Sequence, residues 1–266
     1  MGVAITRRIG AGRSVLLADF NEPALDAVAQ TLRDEGHHVT TQKVDVSSRE
    51  SVHALAEAAA GLGPVLQVVH TAGLSPTQAP TPAILAVDLL GVALVLEEFG
   101  AVVARGGAGV VISSMSGHLI PALDRAVEAG IAAASADNIL SQPWAAAENF
   151  PSAGYAYSFA KRANQVQVRA ASTVWGARGA RINTISPGVI STKMGQEELA
   201  SPSGAGMRAM VDGSGTGRLG TADDIAAAAT FLLSDAASFI TGTDLLVDGG
   251  AVAAVSTGKV DLSALR

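Results

Sequence analysis

Tyr157 and Lys161 stand four residues apart, a spacing that on a helix puts both side chains on one face, one turn apart. A phenol ionises near ~10 and is mostly neutral at physiological pH. An ammonium a few ångströms away favours the phenolate, which moves the phenol toward a useful proton donor or acceptor. The pair alone is a weak signal, because it also suits a helix-surface tyrosine beside a lysine whose stem lies along the surface. Other chemistry is thin. The chain has no cysteine, so thiolate chemistry and disulfides are excluded. Its five histidines (His37, His38, His53, His70 and His118) show no metal-ligand spacing, and no metal site is expected.

The neighbours of the pair give it meaning. Upstream, Gly109-Val110-Val111-Ile112 reads as a short buried strand ending in Ser113-Ser114-Met115-Ser116-Gly117. Downstream, residues 181–185 read as another strand, followed by Ser186-Pro187-Gly188-Val189-Ile190-Ser191-Thr192. Ile240-Thr241-Gly242-Thr243-Asp244 and Asp248-Gly249-Gly250 come near the end. This series in this order resembles the short-chain dehydrogenase/reductase family, over residues 2–250. The resemblance implies that Tyr157 is the general acid/base. It implies that Lys161 lowers the ionisation of that phenol and bonds the nicotinamide ribose, and that Ser114 polarises the substrate oxygen. Ser113 is then a bystander and Ser116 a weaker competitor, since the family's serine falls three before the glycine at 117. Tyr155 is a decoy, because position 159 is Phe. Asp88 takes the place usually held by an asparagine that anchors a water next to the lysine. It is expected to pair with Lys161 through that water, altering the proton relay in detail while catalysis is retained.

The same resemblance assigns a dinucleotide site. Asp19, followed by Phe20, fits the acidic residue after the second family strand that bonds the adenosine ribose hydroxyls, and a carboxylate there favours NAD over NADP. The position also suits an aspartate that caps the next helix. Asp45 and Val46 resemble the adenine-contacting pair. His70-Thr71-Ala72-Gly73 stands where most members have Asn-Asn-Ala-Gly, with Thr71, Ala72 and Gly73 beside the cofactor. Pro187, Gly188, Ile190 and Thr192 match the segment that grips the nicotinamide carboxamide. Gly2 matches only the third glycine of the phosphate loop; the first strand and the first two glycines have no counterpart. That strand would lie between residues 14–18 and 65–70. Leaving its slot open strands two rows of backbone groups at ~1–3 kcal/mol for each one left buried and unsatisfied. The expectation is therefore a natural chain that starts further upstream, and the other reading is a real truncation that folds poorly.

These residues need a scaffold that gathers them. Strand patterns at 14–18, 39–43, 65–70, 109–112, 181–185 and 244–247 alternate with helical patterns at 22–35, 49–60, 82–104, 157–175 and 222–233. Ser47 with Glu50, and Thr221 with Asp224, have capping-box spacing. Alternation of this kind predicts an α/β fold, a single-domain Rossmann-like doubly wound parallel sheet with helices on both faces. The 266 residues suit one domain, and with 48% hydrophobic but only 4% aromatic residues the core must be aliphatic. Ser114 and Tyr157 are 43 positions apart, far more than is usual in the family, so residues 118–151 read as a helical insert. Its first helix is expected over 122–134, and a second stretch ends at Gln142-Pro143-Trp144. The insert suits a substrate wall, a subunit contact or a plain surface excursion. Residues 193–217 read as the substrate-covering loop.

The leading function is an NAD-dependent oxidoreductase that interconverts a secondary alcohol and a ketone. A catalytically silent dinucleotide-binding regulator and a non-functional fragment stay open. A net charge of −6 argues against nucleic-acid and anionic-membrane partners. The expected partners are a small-molecule alcohol or ketone and further copies of the chain, as a dimer or tetramer joined through helices 82–104 and 157–175. With no leader-like opening and no long apolar span, the protein is expected to be cytoplasmic.

Overall fold

The computed structural model describes residues 1–261. In chain order the elements are α1 (Gly2–Ile9), β1 (Ser14–Asp19), α2 (Glu22–Asp34), β2 (His38–Lys43), α3 (Arg49–Leu62) and β3 (Val65–His70). They continue with α4 (Thr81–Ile84), a π-turn (Leu85–Leu90), α5 (Gly91–Val102), β4 (Val103–Ile112) and α6 (Arg125–Ala133). The last are α7 (Ala153–Ala177), β5 (Arg181–Pro187), α8 (Lys193–Leu199), α9 (Gly204–Gly213), α10 (Ala222–Leu233), β6 (Asp244–Val247) and α11 (Ala251–Ser256). Every strand pairing is parallel, as the alternating pattern requires.

The strands form two sheets, β1-β2 and β3-β4-β5-β6. The break falls between β1 and β3, the slot where the sequence finds no strand, and among the described residues nothing pairs with the open edge of either one. Helices cover both faces. On one, α3, α5 and α7 share an aliphatic cluster with Val65, Val68 and Val111. On the other, Ile5 of α1 and Ile225, Ala226 and Ala229 of α10 pack on Val110, Ile112 and Ile185. Alternate strand residues thus feed opposite layers, as period-2 side-chain geometry demands.

Several sequence expectations are corrected. The helix expected over 82–104 is three pieces: α4, the π-turn and α5, with Val103 and Ala104 already in β4. Ser47 does not cap α3. Its hydroxyl and amide both go to Asp45 Oδ1 (2.6 and 2.9 Å), and Ser48 accepts from Ser51 N–H instead. The box at Thr221 and Asp224 forms as expected. Residues 193–217, read as a loop, hold α8 and α9.

Residues 118–151 hold α6 and three 3₁₀ turns where a second helical stretch was expected, since Pro143 starts a turn and removes a backbone donor. They are no loose excursion: Ile131, Ala136, Ile139, Ala145 and Phe150 are buried in the main cluster. Trp144 and Phe150 stack near Phe159 of α7, with ring centroids 6.0 and 5.1 Å away. Asp137 joins Arg49, which also reaches Glu97 and Glu98 of α5. This segment therefore lies over the α5–α7 face that the sequence marks for subunit contact.

Candidate active site

Residues from the carboxyl ends of parallel strands and the first turns of α7 meet at one place. β4 delivers Ser113 and Ser114, and α7 starts at Ser152, whose side chain caps it by accepting from Tyr155 N–H. Two turns on, Lys161 is only 4% exposed. The serine loop is locked against this turn: Ser113 Oγ donates to Lys161 O (2.7 Å). Gly117 lies so close that a β-carbon there would stand 2.8 Å from Arg162 N. Ser113, a bystander by sequence, thus fastens the helix that carries Lys161. Ser114 Oγ accepts from Ser116 N–H (3.2 Å), which aims its hydroxyl next to the Tyr157 phenol. Tyr155 is set apart, exposed and stacked near Phe150.

Lys161 Nζ lies 5.4 Å from the centre of the Tyr157 ring and 2.8 Å from Asp88 Oδ1. The water-bridged arrangement expected for Asp88 is therefore corrected: the ion pair is direct. Asp88 is fully buried, and its second oxygen accepts from Leu74 N–H (3.0 Å). Gly73 makes room for the pair, since a β-carbon there would sit 2.7 Å from Asp88 Oδ1 and 3.2 Å from Lys161 Nζ. Burial pulls the Lys161 ammonium down, but Asp88 and Tyr157 together outweigh it and hold it above its ordinary value. Burial pushes the Tyr157 phenol up, and Asp88 and Glu198 reinforce it against the pull of Lys161 and Ser114. Lys161 lowers the phenol as the sequence implies, but burial, reinforced by Asp88, outweighs it and leaves Tyr157 above its ordinary value.

Two residues here escaped sequence reasoning. His70 closes β3, is 6% exposed, and has no partner for its Nε2. Burial, helped by the positive Lys161, pushes its imidazole down to about 4, so it is neutral near pH 7. Its place in the motif, where most relatives have Asn, was the available signal. Glu198 of α8 is half-buried, its carboxyl is raised by burial, and it acts on Tyr157; nothing in its spacing marked it.

The expected dinucleotide residues lie at the carboxyl ends of the strands, where ligands of open parallel sheets bind. Asp19 ends β1 with its carboxylate in solvent, accepting from Asn21 N–H (2.9 Å); Asn21, and not Asp19, caps α2. Phe20 is 67% exposed, with Lys43 Nζ 5.8 Å from its ring centre. Asp45 is occupied with Ser47, and Val46 packs under Gly91. Thr71 follows β3 and sits against Gly2, whose β-carbon would lie 3.1 Å from Thr71 Oγ1; Ala72 is exposed beside it. Pro187 ends β5, Gly188 N–H donates to Val247 O, and Ile190 is buried. Thr192 caps α8 by accepting from Gly195 N–H (3.2 Å). An exposed carboxylate for ribose hydroxyls, a small Thr71-Ala72-Gly73 turn and a buried ammonium fit a nicotinamide dinucleotide. Among the described residues, no cluster that could hold a metal ion occurs, and no helix is long and apolar enough to cross a membrane.

Comparison with known proteins shows the family to which this fold belongs. The family model described as enoyl-(acyl carrier protein) reductase matches residues 1–127 and 122–252. The short-chain dehydrogenase/reductase bsc3 of Alternaria brassicicola is 41% identical over 257 residues, which cover 96% of this chain and 93% of that protein. Galactitol 2-dehydrogenase (L-tagatose-forming) of Cereibacter sphaeroides is 32% identical over 94% of this chain and 90% of its own length. A solved short-chain type dehydrogenase/reductase from Mycobacterium ulcerans superposes with a TM-score of 0.73 at 25% identity, covering 99% of this chain and 88% of its own. The chain is an oxidoreductase of the short-chain dehydrogenase/reductase family.

Proposed function

We propose that the protein interconverts a secondary alcohol and a ketone with NAD, and that Tyr157 moves the proton. The observation that carries this reading is the meeting of three groups, the Ser114 hydroxyl, the Tyr157 phenol and the Lys161 ammonium, at the carboxyl end of β4. In the oxidation direction Tyr157 accepts the hydroxyl proton of the alcohol, and Ser114 holds the same oxygen as its bond to carbon becomes double. In reduction Tyr157 returns that proton. When bound, the dinucleotide supplies the hydride acceptor or donor, at C4 of its nicotinamide. Lys161 stabilises the phenolate and is itself kept charged by Asp88. Thr71, Ala72, Gly73, Gly188, Ile190 and Thr192 would hold the nicotinamide end, with Gly2, Asp45 and Val46 towards the other.

The Asp19 carboxylate supports NAD over NADP, because a 2′-phosphate at the end of β1 would face a like charge. Met115, Val189 and Met210 form an apolar wall that joins the serine loop to α9, and Leu199 of α8 packs on it. This favours α8 and α9 as the cover of the substrate. The site works in a homo-oligomer whose contacts avoid the part of the α5–α7 face that residues 118–151 occupy. Absorbance assays with NAD+ or NADP+ against polyols and cyclic secondary alcohols test the reading. NADH formation with at least one alcohol, and a preference for NAD+, is expected. Cofactor binding without turnover across the panel would overturn it.

A further inference from the structure

Helix α7 carries an unusual stripe. Tyr157, Lys161, Asn164 and Gln167 succeed one another at steps of four, three and three, so all four lie on one face. That face is buried: Asn164 is 0% exposed and Gln167 5%. An amide in such a place costs ~1–3 kcal/mol unless it is hydrogen-bonded, and a leucine would fill the space without that penalty. Both amide nitrogens are bonded, and to one target, while Asn164 Oδ1 is left without a hydrogen-bond partner. Asn164 Nδ2 donates to Asp88 O (2.7 Å) and to Gln167 Oε1 (3.1 Å), while Gln167 Nε2 donates to Leu89 O (3.0 Å). Two side chains of α7, bonded to each other, therefore hold two consecutive carbonyls of the π-turn.

That turn is the irregular stretch of the segment. Gly91 N–H bonds back to Ala86 O, five residues away, so one extra residue is accommodated where a regular helix would continue. Such turns are rare and are frequently found at functional sites. Asp88 lies within it. Its backbone carbonyl is held by Asn164, one carboxylate oxygen by Lys161 and the other by Leu74 N–H. Two of these three anchors are three residues apart on the helix that also presents Tyr157.

We propose that Asn164 and Gln167 are positioning residues: by binding the π-turn from α7 they keep the Asp88 carboxylate on Lys161, and so decide how much of the ammonium's field reaches Tyr157. The proposal rests on Tyr157 as the proton-transfer residue. A merely structural pair of amides would change stability and leave the phenol where it is.

The chain has two tyrosines, so in a Tyr155→Phe parent the tyrosinate ultraviolet band reports Tyr157 alone. This band is titrated with circular dichroism following the fold, in the parent and with Asp88→Asn, Asn164→Leu or Gln167→Leu. All three variants are expected to move the ionisation to lower pH, with an at least ~3-fold larger tyrosinate fraction at a fixed pH on the rising limb. In the Asp88→Asn background the two leucine variants are expected to add nothing. Should a leucine variant fail to fold, Asn164→Ala and Gln167→Met answer the same question. An unmoved ionisation in folded Asn164 and Gln167 variants overturns the proposal, and so do shifts that add to that of Asp88→Asn. The titration needs neither cofactor nor substrate. A parent that titrates as expected but turns over no alcohol would overturn the oxidoreductase reading and leave the positioning result standing.

Discussion

Removing both members of the Asp88–Lys161 pair should cost less than the two single removals added together. The two groups are 2.8 Å apart and 0% and 4% exposed, so neither can recover its lost hydration. Lys161→Met leaves a fully buried carboxylate with one hydrogen bond, from Leu74 N–H. Stripping a buried charge of its partner costs ~3–5 kcal/mol, which in a chain of this size lowers Tm by roughly 10 °C. Asp88→Asn keeps the shape and an acceptor oxygen and should cost ~1–3 kcal/mol. In the double variant neither charge remains. Its loss should fall short of the sum of the single losses by ~2 kcal/mol. The Lys161 ionisation is raised on folding, so the pair's contribution is fully present below the unfolded lysine's range and is lost as pH climbs through the folded value. The cycle is therefore measured by urea and thermal unfolding at pH 7. Losses that add within ~0.5 kcal/mol would refute a direct pair.

Three further outcomes follow from the same geometry. His70 ionises near 6.5 when unfolded and at about 4 when folded, so acidification protonates the unfolded chain first and stability falls through that window. Between pH 8 and pH 5 this one group should remove about 2 kcal/mol; His70→Gln should reduce the fall in unfolding free energy from urea titrations by that much, and an unchanged slope would count against the buried neutral imidazole. Gly73→Ala puts a methyl group 2.7 Å from Asp88 Oδ1 and should cost ~1–3 kcal/mol and slow turnover; a variant with parental stability and rate would contradict the close approach. Asp88→Asn should move the acid limb of alcohol oxidation to lower pH, since Asp88 raises the Tyr157 phenol; a limb that stays put or moves up would mean that Asp88 does not control it.

Much of this site was legible because its key residues are spaced by regular elements. Tyr157 and Lys161 lie one helical turn apart, Ser114 follows a strand of β-branched residues, and the break in the sheet lies where no strand pattern could be found. What the sequence hid depends on irregular backbone or on distant partners. A bond to the fifth preceding residue leaves no hydrophobic period, so residues 82–104 read as one helix, and the route by which Asp88 meets Lys161 was invisible. Ser47 and Ser48 are neighbours with equal capping chemistry, and only the backbone decides that Ser47 turns to Asp45. Asn164 and Gln167 read as polar residues on a helix until the carbonyls they bind are located. The direction in which Tyr157 shifts depends first on its burial, and then on Asp88 and Glu198 as well as the lysine, none of which the spacing shows.

Transfer of the carbinol hydrogen tests the account most directly. The protein is incubated with NAD+ and a secondary alcohol deuterated at the carbinol carbon, and the nicotinamide product is analysed for deuterium at C4, alongside Tyr157→Phe. Direct transfer by the parent protein, slowed by about 100-fold or more in Tyr157→Phe, is the predicted result. Transfer undiminished by loss of the phenol, or bound cofactor that never acquires deuterium from any alcohol, would contradict it.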